Sequence, residues 1–266
     1  MLPLIVATSL VIGAVSTQDL PAVDPIYGAF AFPNLKGTEL IVVHEIPNAA
    51  ELRTAICGGR LISVRFVRRQ TISDKATGWQ SPQEFEHLAG AVFQVVGRSV
   101  PPEHTCFVAA DSLLDNAALY PVRALSRPTT CSTAERRRVA TLRERAIRAC
   151  WSIASMQQHG LVSIVEYVRV GTEGLASLIV VTNERAIAID FPAKYRGEGE
   201  EMWRAGDGGE FSPDGFNVPF VVRRGSSYVI ALDWGAEEGN SLQLYSSDPG
   251  RPVRKAISDY WYRAPR

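Results

Sequence analysis

Between residues 161 and 245 apolar side chains recur at every second position in one run after another. Strict alternation is the mark of a strand with one buried face. The runs read as strands near 161–170, 175–182, 185–191, 218–224, 227–234 and 241–245. Gly171-Thr172-Glu173-Gly174, Asn183-Glu184 and Gly225-Ser226 are connections short enough to join antiparallel neighbours. A meander of this length has a whole apolar face to cover, and the residues just before it suggest how.

Ser132 followed three residues later by Glu135 is a capping box. Val139, Leu142, Ala146, Cys150 and Ile153 then recur at helical spacing, which predicts one helix over 132–156 lying against the curved sheet. Its remaining faces carry Arg136, Arg137, Arg138, Arg143, Arg145 and Arg148 against Glu135 and Glu144. Such a face suits an acidic partner or an acidic loop of the same chain. That loop exists at 190–215, where Asp190, Glu198, Glu200, Glu201, Asp207, Glu210 and Asp214 outnumber Lys194, Arg196 and Arg204.

Upstream, apolar runs at 26–32, 39–46, 61–69 and 105–110 read as strands and alternate with two predicted helices. The first is capped by Asn48, continues to Cys57 and stops at Gly58-Gly59. The second has Ser81 as cap, Pro82 at the first helical position and Glu84 closing a capping box, with Phe85, Leu88, Val92, Val95 and Val96 on its apolar face. The expected fold class is therefore α+β: an N-terminal mixed α/β layer followed by a long helix packed on a curved antiparallel β-meander. The expected division is a signal peptide at 1–16, the mixed region at 17–128 and the helix-plus-sheet region at 129–266.

The first segment sets the expected compartment. Residues 4–15 form an uncharged apolar stretch of signal-peptide length, and Ala14-Val15-Ser16 offers the small residues a signal peptidase accepts. No Lys or Arg precedes the stretch. The reading is a secreted or periplasmic protein, not an integral membrane protein once the leader is cleaved. In an oxidising compartment Cys57, Cys106, Cys131 and Cys150 read as two disulfides, since their wide spacing gives no zinc or C-x-x-C motif. On the predicted helix Cys131 and Cys150 would stand roughly 28 Å apart, beyond disulfide reach. That excludes their pairing and favours Cys106 with Cys131 and Cys57 with Cys150.

Chemistry is mostly excluded. The 28 basic residues equal the 28 acidic ones, which argues against a nucleic-acid binder. There is no nucleophile elbow, phosphate-binding Gly-rich loop, dinucleotide fingerprint or H-E-x-x-H, and His44, His87, His104 and His159 show no local pairing. The candidate ligand-binding residues are Asp190, Trp203, Asp207, Glu210, Asp214 and Trp261. Asp207, Glu210 and Asp214 are hard oxygen donors that suit Ca²⁺, although the EF-hand spacing is absent; no cofactor is otherwise expected. Trp234, Tyr260, Trp261 and Tyr262 form an aromatic tail in which Tyr260 and Tyr262 share a face and Trp261 points away.

The expected function is that of an exported, disulfide-bonded, non-enzymatic binding or interaction module whose partner is a protein or a glycan. The alternative is a secreted hydrolase with carboxylates from separate strands, for which Asp190, Glu166 and Asp233 are the candidates.

Overall fold

The computed structural model describes residues 26–195, 201–202, 212–236 and 238–263. Six strands come first: β1 (Gly28–Pro33), β2 (Glu39–Val42), β3 (Thr54–Cys57), β4 (Arg60–Gln70), β5 (Gly90–Val95) and β6 (Cys106–Ala109). They close into a barrel in the order β1-β2-β5-β4-β3-β6 through antiparallel pairs. Alternate residues decide what fills it. Ala31, Leu40, Val42, Ala55, Phe93 and Val108 point inward and are fully buried, while Phe30, Phe32, Ile41, Ile56, Val92 and Phe107 point outward into a second core.

A short helix, α1 (Asp111–Leu114), leads to β7 (Ala117–Tyr120). The chain then builds β8 (Arg123–Thr130), helix α2 (Thr133–Ala140), β9 (Ile147–Ser155), β10 (Gly160–Tyr167), β11 (Glu173–Thr182), β12 (Ala186–Tyr195) and β13 (Glu201–Met202), whose strands form one antiparallel sheet in sequence order. The last strands are β14 (Phe216–Asn217), β15 (Val221–Arg224), β16 (Ser227–Ala236), β17 (Gly239–Ser247) and β18 (Arg254–Tyr262). They make a second sheet in the order β18-β17-β16-β15-β7, with β14 also on β16. This last sheet is central.

One of its faces, with Phe220, Val222, Val229, Ala231, Leu242, Leu244 and Trp261, meets the outward residues of the barrel. The opposite face, with Val221, Tyr228, Ile230, Leu232 and Trp234, packs on Val162, Ile164, Leu178, Val180, Ile187 and Ile189 of the β8–β13 sheet. The outer face of that sheet is capped in turn by Val139 of α2 over Val165, Tyr167, Ile179 and Val181. The order of layers is barrel, central sheet, outer sheet, α2.

The expected α+β class is corrected: the described chain is predominantly β and has only two α-helices, both short. Each predicted helix gives way to a strand, and only that of Ser132 keeps its predicted cap: Asn48 makes no side-chain cap, and the second turn begins after Glu84 and not at Ser81. After Asn48 a single 3-10 turn, Ala49–Glu51, precedes β3, and Phe85–His87 likewise precedes β5. The capping box of Ser132 and Glu135 is real, but α2 stops at Ala140. The reason lies in burial. β3 and β5 are buried on both faces, so their apolar runs lack the period-two alternation that tells a strand from a helix. Gly58 and Gly59, taken for a helix stop, have φ of 53° and 69° and form the two-residue turn of the β3–β4 hairpin.

The shortened helix also reverses the disulfide assignment. The chain folds back after α2, so Cys131 and Cys150 come within 5.4 Å (Cα–Cα) and are bonded, while Cys57 is bonded to Cys106 at 4.4 Å. The favoured pairings of Cys106 with Cys131 and Cys57 with Cys150 are thus replaced. Among the described residues no helix is long and apolar enough to cross a membrane.

Loop-closure entropy gives the expected size of each bond's effect. The bridges span 49 and 19 residues, which corresponds to about 4 and about 3 kcal/mol of stabilisation respectively. Urea unfolding of Cys131→Ala/Cys150→Ala should show a loss of about 3 kcal/mol relative to the oxidised protein. An unchanged midpoint would show that α2 and β9 are held without the bond.

Candidate functional site

The three candidate carboxylates sit on strands, and strand alternation fixes where each points. On β12, Ile189 and Phe191 face the central sheet, so Asp190 between them faces outward. There it lies opposite Ser177, whose hydroxyl donates to it at 2.6 Å, and it receives a two-pronged bond from Arg143 at 2.8–3.2 Å. Glu166 lies opposite Ala176, on the inward face of the same sheet, and binds Arg148 at 2.8 Å. Asp233 projects from β16 toward the barrel, where Thr105 donates at 2.8 Å and Asn240 at 2.5 Å.

Asp190 and Glu166 are therefore on opposite faces of one sheet, and Asp233 is in a third layer. A general acid and its partner carboxylate must flank one bond, within about 10 Å of each other. The structure does not bring these three together; each is held by its own cation or hydroxyl. A cleft of about 460 Å³ does run beside Asp190, between β12 and the turn at Asp248 and Arg251, and the Arg143–Asp190 pair forms part of its wall.

The Arg-rich segment is largely engaged within the chain. Arg136 and Arg138 donate to the carbonyls of Ile147 and Thr182, Arg143 holds Asp190, and Arg145 lies 3.6 Å from Glu173. Asp214 is exposed on a 3-10 turn, where its N–H donates to Ser212 Oγ at 3.3 Å. Trp203, Asp207 and Glu210 lie outside the described residues. Among the described residues no cluster of three His, Cys, Asp or Glu side chains could hold a metal ion.

The aromatic tail separates as strand geometry requires. Trp261 is fully buried against Phe32, with ring centroids 5.2 Å apart and the Arg263 guanidinium 4.7 Å from its ring. Trp234 is also core, stacked on Phe216 at 4.9 Å. Tyr260 and Tyr262 point the other way and remain 39% and 42% exposed. They are joined by a residue the sequence did not single out. Trp79, in the loop between β4 and β5, lies 5.6 Å from the Tyr262 ring, and Tyr262 lies 6.1 Å from Tyr260. Gln80 fixes the loop to the strand, donating its N–H to the Tyr262 carbonyl at 2.6 Å and accepting the Tyr262 N–H at 3.0 Å. The Tyr262 hydroxyl donates to Glu238, which raises its pKa. Three rings thus form a ledge along the edge of the central sheet. The signal for Trp79 was an aromatic following Gly78 in a polar loop, where no apolar neighbours account for it.

His44, two residues beyond β2, contacts Asp259 of β18, an ion pair when the imidazole is protonated, and so ties barrel to sheet. The hydrogen bond to Asp259 is the largest influence on His44 and raises its pKa, against a smaller lowering by burial. Tyr228, buried between the two sheets, has its pKa pushed up to about 12 by desolvation, and its hydroxyl donates to Glu184 at 2.9 Å.

No protein-family model matches the chain, and no curated protein or solved structure matches it either.

Two consequences are measurable. Trp261→Ala should lose about 3–5 kcal/mol in urea unfolding because it empties the barrel–sheet core, whereas Tyr260→Ala should stay within about 0.5 kcal/mol. Because the folded-state pKa of His44 is raised, its stabilisation is complete below the unfolded value of about 6.5 and fades as pH rises through the folded value. The stability difference between the protein and His44→Gln should therefore be larger at about pH 5 than at about pH 9; a pH-independent difference would refute the ion pair.

Proposed function

We propose that the chain is an exported, disulfide-stapled binding protein whose recognition surface is the ledge of Trp79, Tyr260 and Tyr262, and whose ligand is a glycan. The observation that carries this reading is two exposed rings, Tyr260 and Tyr262, beside a partly buried Trp79 at a sheet edge, while Trp261 and Trp234 are core. Aromatic rings offer flat apolar area with little side-chain entropy to lose, which suits the C–H faces of sugar rings. Glu238 and Gln80 beside them supply polar atoms able to meet sugar hydroxyls.

Export is supported by the apolar start of the sequence and by the two disulfides. A non-enzymatic role is supported by the separation of Glu166 and Asp190 onto opposite faces of the outer sheet, with Asp233 on the barrel side of the central sheet. The secreted-hydrolase alternative has no comparable support from a shared pocket.

Presenting the oxidised protein to an array of neutral oligosaccharides tests the reading. Binding should appear for at least one of them, and Trp79→Ala or Tyr262→Ala should each weaken it about tenfold with an unchanged thermal midpoint. Absence of any bound glycan, or binding that survives both substitutions, would remove the ledge as the glycan site.

A further inference from the structure

The two ends of the barrel differ in charge economy. At the end opposite the one from which the Trp79 loop leaves β4, the β3–β4 turn, the β1–β2 turn and the segment before β6 surround an open groove of about 630 Å³. Four of its lining residues are Lys36, Arg60, Arg98 and His104, and none is Asp or Glu. Among the described residues none of these four side chains has an ion pair or a side-chain hydrogen bond. Arg68, Arg143, Arg145, Arg148 and Arg223 are each paired with a carboxylate. In a chain of zero formal net charge, Lys36, Arg60 and Arg98, gathered without partners around a concavity, create a local positive field that favours an anion, and His104 adds ring nitrogens able to hydrogen-bond it.

The groove also has apolar walls. Leu61 and Val96 line it with exposures of 54% and 55%, so apolar surface stands open beside its basic residues. Its floor is rigid. The Cys57–Cys106 bond locks two register-paired strands beneath it. Gly58 sits so close to the His104 imidazole that a Cβ would lie 2.5 Å from the ring, so glycine there lets His104 lie across the turn. The volume falls within the range of small-molecule sites, and guanidinium groups match carboxylate or phosphate oxygens in pairs.

We infer that this groove binds a small amphipathic anion, its head group held by Lys36, Arg60, Arg98 and His104 and its alkyl part laid against Leu61 and Val96. The inference is independent of the glycan reading, since it concerns the other end of the barrel and ligands of different chemistry.

Isothermal titration of the full, oxidised protein with octyl phosphate tests it, with inorganic phosphate and octyl glucoside as the head-only and neutral-tail probes. Octyl phosphate should bind at least tenfold more tightly than either probe, and added salt should weaken it. Arg60→Glu/Arg98→Glu should lower its affinity at least tenfold. Both side chains are exposed, so the thermal midpoint of that variant should not change, and Leu61→Ser should weaken octyl phosphate but not inorganic phosphate. Equal binding of octyl glucoside would reduce the groove to an apolar patch, and equal binding of inorganic phosphate would remove the role of the walls. No binding of octyl phosphate, or binding indifferent to the Arg60→Glu/Arg98→Glu pair, would overturn the site.

Discussion

The central sheet, β18-β17-β16-β15-β7, is apolar on both faces, and every other layer is where it is because of that. Val229, Ala231 and Leu242 would be wetted if the barrel were removed, and Tyr228, Ile230 and Leu232 if the outer sheet were. At roughly 25 cal/mol per Å² of apolar surface, neither face can be left open in a stable fold. The barrel covers one and the outer sheet the other. A polar group caught in such a layer must bring its own partners, which is why Asp233 comes with Thr105 and Asn240.

That arrangement also accounts for how the candidate carboxylates are used. The three candidate carboxylates hold layers and loops together: Asp190 anchors the segment after α2 through Arg143, Glu166 binds Arg148, and Asp233 accepts from Thr105 and Asn240. What the layering leaves unspent lies at its margins. An aromatic ledge stands where the barrel's long loop meets the free edge strand, and a basic groove opens at the other barrel mouth. Both are built from turns and strand ends positioned by a rigid scaffold, the usual place for recognition residues.

The strands of the second half were legible because short marked turns such as Asn183-Glu184 and Gly225-Ser226 bracket them, even where, as in β11 and β16, both faces are buried. The runs at 175–182 and 227–234 correspond closely to β11 and β16. That Tyr260 and Tyr262 share one face and Trp261 the other was legible from strand alternation, but not that Trp261, a ligand-binding candidate, is the buried one. Where no such turn was read, symmetry of burial defeated local reading. β3, with Ala55, Ile56 and Cys57 all buried, has no polar side to betray its period, and β9 follows a genuine capped turn whose apolar spacing happens to continue into it. Once the helix was drawn too long, the pairing of Cys131 with Cys150 became unreachable on paper. The groove was invisible for another reason: Lys36, Arg60, Arg98 and His104 come from three separate connections, and only barrel closure gathers them.

Barrel closure has one further property, seen in the bond between Cys57 and Cys106. These residues face each other directly in the β3–β6 ladder, both turned toward the barrel interior. A slip of one residue along that ladder would turn one cysteine outward and away from the other, because side chains alternate between faces. Oxidation thus proofreads strand alignment. Along this ladder the native register is the one that sets the two sulfurs side by side.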